Sequence, residues 1–103
     1  MTTVDLDAAF DQLAATLDQA VRERNFATTS SVAETLGLRK IGDGKPSQRH
    51  VWERPDGDLV LRFEWRWYDQ SKAFSTQPDM NLLSVSLLRG EQTVKTASDR
   101  YED

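Results

Sequence analysis

The stretch Asp58-Leu-Val-Leu-Arg-Phe-Glu-Trp-Arg-Trp-Tyr68 decides the fold. Leu59, Leu61, Phe63, Trp65 and Trp67 fall on one parity, and Val60, Arg62, Glu64, Arg66 and Tyr68 on the other. Successive side chains point to opposite sides of a strand, so this is a strand with one apolar face and one charged face ending in tyrosine. Two of the chain's three tryptophans sit on it.

That apolar face needs a cover, and the N-terminal segment supplies one. Leu6, Phe10, Leu13, Leu17 and Ala20/Val21 recur at spacings of four and three, which predicts an amphipathic helix over Asp5–Arg24. Asp5, Asp7 and Asp11 lie towards its positive end, and Arg22 and Arg24 close its last turn. Its stripe spans little more than two heptads, short for an autonomous coiled coil, so it is expected to cover the chain's own sheet.

A second helix is expected over Ser31–Leu36. Ser31 and Glu34 have the spacing of a capping box, and Gly37 is a natural stop. Residues 31–38, SVAETLGL, resemble the first helix of a helix-turn-helix. A recognition helix should then follow, but the next residues, RKIGDGKPSQRH, contain two glycines and a proline. Gly42 to Gln48 is expected to be a loop. Its GDGKPS run lacks the Ser or Thr after lysine that a phosphate-binding loop requires.

Three more strands complete the pattern. Arg49–Arg54 reads as a strand, with a turn at Arg54-Pro55-Asp56-Gly57. With a three-residue loop there, Trp52 lies opposite Val60 and His50 opposite Arg62, on the charged face. A one-residue change in the loop puts Trp52 in the core instead. A polar link, 69–81, leads to a strand over Leu82–Arg89. The turn Arg89-Gly90-Glu91-Gln92 then places Val94 opposite Leu87 and Thr96 opposite Val85. The expected fold is α+β, α-α-β-β-β-β, with both helices on one face of a four-stranded, mostly antiparallel sheet. Residues 1–97 are read as one domain and 98–103 as a polar tail.

Composition narrows the chemistry. The 103-residue chain carries a net charge of -4, mild acidity that argues against wrapping nucleic acid. It has no cysteine and one histidine, which rules out thiolate metal sites and leaves a typical zinc site without ligands. No cofactor or metal is expected, and His50 alone does not make a catalytic centre, so no enzymatic activity is expected. A start rich in aspartate and the lack of a long apolar run point to a cytoplasmic protein that does not cross membranes.

The remaining candidate is the charged face of the opening strand. Arg62, Arg66 and Tyr68, joined by Trp52 and His50 in the three-residue-loop register, have the composition of interface hot spots. The expected role is protein binding of the adaptor, inhibitor or chaperone kind, with homodimerisation through the sheet or the first helix as a further expectation. The alternative is a nucleic-acid-binding regulator using the partial helix-turn-helix or the same face.

Overall fold

A computed structural model describes residues 4–43, 49–68 and 80–102. Two helices, α1 (Leu6–Glu23) and α2 (Ala27–Thr35), precede β1 (Arg39–Asp43), β2 (Arg49–Asp56), β3 (Leu59–Tyr68), β4 (Met80–Arg89) and β5 (Gln92–Glu102). The strands form one antiparallel sheet in chain order. The fold is α+β, but the sheet has five strands rather than four. The extra strand is β1, five residues long and bulged between Lys40 and Gly42, too short and irregular to show alternation. Most of the expected link, 69–79, and of the expected loop, 44–48, lies outside the described residues.

α1 forms where its stripe predicts. The Asp5 carboxylate accepts the Ala8 backbone N–H at 2.7 Å, and Leu6, Ala9, Phe10, Leu13, Leu17 and Ala20 are buried. At 1.5 Å per residue the helix is about 27 Å long, enough to lie across several strands. It packs on β3, β4 and β5, while α2 lies over β2.

α2 begins at Ala27, four residues before the expected capping box. Phe26 is the N-cap and has no side-chain cap bond. The Asn25 Oδ1 just before it accepts the Ala27 N–H at 3.0 Å in an Asx turn, so the helix starts one turn earlier and leaves Ser31 exposed inside it. The Thr16 hydroxyl donates to that of the fully buried Thr29 at 2.8 Å, tying the helices together. Gly37, at φ 92, ends α2 as expected, and β1 follows in place of a recognition helix.

Register fixes which face each strand of the two hairpins presents. Asp56 pairs with Leu59, so Gly57-Asp58 is a two-residue turn, with Gly57 at φ 64. Gly90-Glu91 closes the second hairpin in the same way, with Gly90 at φ 60. Glycine first, with no positive φ after it, is the type II′ arrangement whose twist suits a hairpin. The expected three-residue loop after Arg54 is therefore corrected: Pro55 lies within β2, opposite Val60. Trp52 faces Phe63 and His50 faces Trp65, on the helix side of the sheet.

The second hairpin starts in the expected register and then departs from it. A bulge opposite Leu87/Leu88 extrudes Val94, which is 46% exposed, and moves Lys95 opposite Leu87 and Ala97 opposite Val85. The inward residues of β5 are thus Lys95, Ala97, Asp99 and Tyr101 rather than Val94 and Thr96. The expected polar tail from Ser98 is corrected too. β5 continues to Glu102, and Tyr101 is buried in the core.

The core lies between α1, α2 and one face of the sheet. Leu13, Leu38, Leu61, Phe63, Leu83 and Val85 are its largest fully buried apolar side chains. Beside it, under α2, lies a ring cluster. Phe26 stacks on Trp65 at 4.1 Å between centroids, His50 lies 4.6 Å from Trp65, and Trp52 packs on Phe63 at 5.1 Å. The Trp52 indole N–H reaches Glu34 Oε1 at 3.3 Å, and that of Trp65 donates to buried Asn81 Oδ1 at 2.9 Å. Both indoles thus bury their apolar bodies and keep a partner for the N–H.

Candidate functional site

Alternation on β3 sends Arg62, Glu64 and Arg66 to the face opposite the core, because Phe63 and Trp65 between them point at the helices. The hairpin register places Arg49, Val51 and Glu53 of β2 beside them, and β4 adds Leu82, Ser84, Ser86 and Leu88. Thr96, Ser98 and Arg100 extend this open face across β5. Arg39, opposite Glu53, extends it across β1. Among the described residues no helix packs on it.

The centre of the face is an arginine–glutamate lattice. Glu64 takes Arg49 Nε at 2.8 Å on one side and Arg66 at 3.1 Å on the other. Arg62 Nε meets Glu53 at 2.6 Å. Burial pushes the Glu64 carboxyl up. The hydrogen bond from Arg49 and the charges of Arg49, Arg66 and Arg62 outweigh that and hold it below the usual carboxylate value. The Glu64 hydrogen bond likewise raises the Arg49 guanidinium above its ordinary value. The lattice is half-exposed, so it orders its side chains more than it stabilises the fold.

Apolar surface underlies and flanks these charges. Val51, opposite Glu64, is 6% exposed although it stands outside the helix-side core. Val60, Leu82 and Leu88 on the same side are half-buried. A row of hydroxyls, Ser84, Ser86, Thr96 and Ser98, completes the far side, with Ser86 and Thr96 3.2 Å apart.

The charge balance of this face is opposite to that of the chain. Among the described side chains Arg39, Arg49, Arg62, Arg66 and Arg100 stand there against Glu53 and Glu64. The chain as a whole carries -4, and Asp5, Asp7, Asp11, Asp18 and Glu23 lie along α1 or at its cap. The molecule therefore presents a basic sheet face on one side and an acidic helix on the other, an arrangement that steers charged partners.

Of the five expected binding residues, the structure brings Arg62 and Arg66 together on the open face and takes two away. Trp52 is 3% exposed and His50 is half-buried among Phe26, Trp52 and Trp65, both on the helix side. Tyr68 ends β3 on the Arg66 parity, opposite Met80. Its side chain lies outside the described part. Arg49, Val51 and Glu53 are the residues the sequence reading left out. Gly57-Asp58 has the same glycine-first pattern as Gly90-Glu91, and a two-residue turn there places all three beside Arg62, Glu64 and Arg66.

The site carries no described feature of a metal centre: among the described residues no group of three or more His, Asp or Glu side chains is placed to hold an ion. Nor is any helix among them long and apolar enough to cross a membrane. No protein-family model matches the chain, and comparison with curated proteins and with solved structures found no similar protein.

Proposed function

We propose that this protein is a small protein-binding module whose open sheet face receives an acidic, partly apolar segment of another protein. The observation that carries this reading is the arginine-rich face, built over half-buried Val60, Leu82 and Leu88, on a chain of net charge -4. Arginine beside desolvated aliphatic surface is the composition of interface hot spots. The ion pairs with Glu53 and Glu64 hold the guanidinium groups in place before a partner arrives, which lowers the entropy lost on binding. An acidic segment exchanges with these internal partners and adds carboxylates to a face already short of them.

A base-stacking role loses its support when Trp52 and His50 lie beneath α2. Among the described residues the open face holds no aromatic side chain on which bases would stack.

The test is a peptide-display selection against the wild-type protein, counter-screened with the Arg62→Ala, Arg66→Ala, Tyr68→Ala triple variant. The expected yield is peptides rich in Asp or Glu with interspersed Leu, Val or aromatic residues, whose binding drops at least about tenfold on the variant. Selected peptides that bind both proteins equally, or that are basic, contradict the reading.

A further inference from the structure

The sheet has two edges, and they are unlike. β1 is five residues long and bulged at Ile41, and both features discourage the addition of a strand. β5 runs eleven residues from Gln92 to Glu102 and, among the described residues, has β4 on one side only. Its one irregularity is at Val94. From Lys95 to Tyr101 its pairing with β4 is continuous.

We propose that β5 pairs antiparallel with β5 of a second copy of this chain, centred on Ala97, to form one ten-stranded sheet. The inference does not rest on the use of the open face and concerns a different part of the surface.

Charge selects this register. Lys95 and Asp99 both point to the helix side of the sheet, two residues either side of Ala97. An antiparallel pairing about Ala97 sets Lys95 of each copy directly opposite Asp99 of the partner subunit. Opposed residues on one face have Cβ atoms about 5 Å apart, so the two oppositely charged side chains meet twice. On the other face Thr96 stands opposite Ser98 of the partner subunit, hydroxyl against hydroxyl.

Inward charges on an edge strand normally repel an incoming strand, because they are covered without a partner. Here that penalty falls on any strand that lacks the same spacing. Another β5 removes it. Asp99 has a place for such a partner: among the described residues it accepts the adjacent Arg100 N–H, at 2.9 Å, and forms no salt bridge. Lys95 pairs with Asp7 on α1 and lies 5.4 Å over the Phe10 ring, which fixes it on the helix side at the edge.

The edge is also open to such a partner. Among the described residues no strand pairs with its outer flank, and Gln92, Thr93, Val94, Thr96, Ser98 and Arg100 are exposed along it. The paired copies keep their open faces on the same side, because opposite residues in an antiparallel pair share a face.

The test is analytical ultracentrifugation over a concentration series. Wild-type protein is expected to approach twice the 11.7 kDa chain mass as concentration rises. Asp99→Lys and Lys95→Asp, each alone, set like charges opposite one another and should weaken self-association about tenfold or more. An equimolar mixture of the two variants restores opposite charges at both contacts and should dimerise as the wild type does. Asp99→Asn, which removes the charge without reversing it, should fall between. Hydrogen exchange on the unmodified protein gives a readout independent of any variant: those amides of residues 95–99 that point away from β4 should slow as the dimer fills. A wild type that stays monomeric throughout, or an Asp99→Lys variant that dimerises as tightly as the wild type, overturns the proposal.

Discussion

Phe63 and Arg62 are adjacent in the chain and lie on opposite sides of one strand. Phe63 is fully buried against the helix layer, while the Arg62 side chain is 35% exposed and bonded to Glu53. The same contrast runs the length of β3. On the helix side, rings and branched aliphatics close a core with α1 and α2. On the open side, arginine and glutamate hold each other above half-buried aliphatics. The lesson is a division of labour by parity. One face of β3 carries the stability of the fold, and the other can change in composition without loss of the fold.

The sharpest way to break this contrast is to truncate the two neighbours in turn. Phe63→Ala should lower unfolding free energy by about 3–5 kcal/mol, measured by urea denaturation. Arg62→Ala should cost less than about 1 kcal/mol in the same assay, since both side chains of the pair keep contact with solvent. Equal losses for the two would refute the division.

Trp52 tests which side of the division β2 serves. Trp52→Ala should cost about 3–5 kcal/mol, as a core ring does. Trp52→Phe should cost about 1 kcal/mol, chiefly the indole hydrogen bond to Glu34. A neutral Trp52→Ala would return this residue to the surface.

Glu64 gives a smaller effect with a pH signature. Its carboxyl is held below the ordinary value of 4.5 in the folded protein, so its stabilisation is complete above that value. The contribution fades as pH falls through the lower folded value, because the unfolded chain takes up the proton first. Glu64→Gln should cost about 1 kcal/mol near neutrality and less under acid conditions. A difference between the two proteins that grows as pH falls below 4.5 would contradict the lattice.

The least perturbing test reads the register itself. The chain has no cysteine, so an introduced pair reports alone. Val51→Cys with Glu64→Cys should form a disulfide readily, because these residues are directly opposite and within bridging distance. Val51→Cys with Leu61→Cys, the pair required by a three-residue turn, should not.

Much of this division was legible in the sequence. The parity of β3, the stripe of α1 and the turn at Gly90-Glu91 follow from periods of two and 3.6 and from the φ that glycine permits. The rest depended on single-residue events that leave little trace in composition. Pro55 and Gly57 fit a three-residue turn as well as a two-residue one, and the choice between them inverts every side chain of β2. The bulge at Val94 inverts the inner set of β5 in the same way and admits Tyr101 to the core. β1 offered five residues and a kink, too few for a period to be seen. The candidate site shared this fate: Arg62 and Arg66 could be placed from their own strand, whereas Arg49, Val51, Glu53, Trp52 and His50 waited on the neighbouring strand's register.

The most direct test of the account is two-dimensional NMR of the protein titrated with a selected acidic peptide. Following backbone amides and arginine Nε–H groups together separates the two faces. The account predicts that the Arg49, Arg62 and Arg66 Nε–H signals and the amides of 49–53, 60–66 and 82–88 shift, while those of α1 stay in place. Shifts confined to α1 and α2, with the arginine signals unmoved, would contradict it.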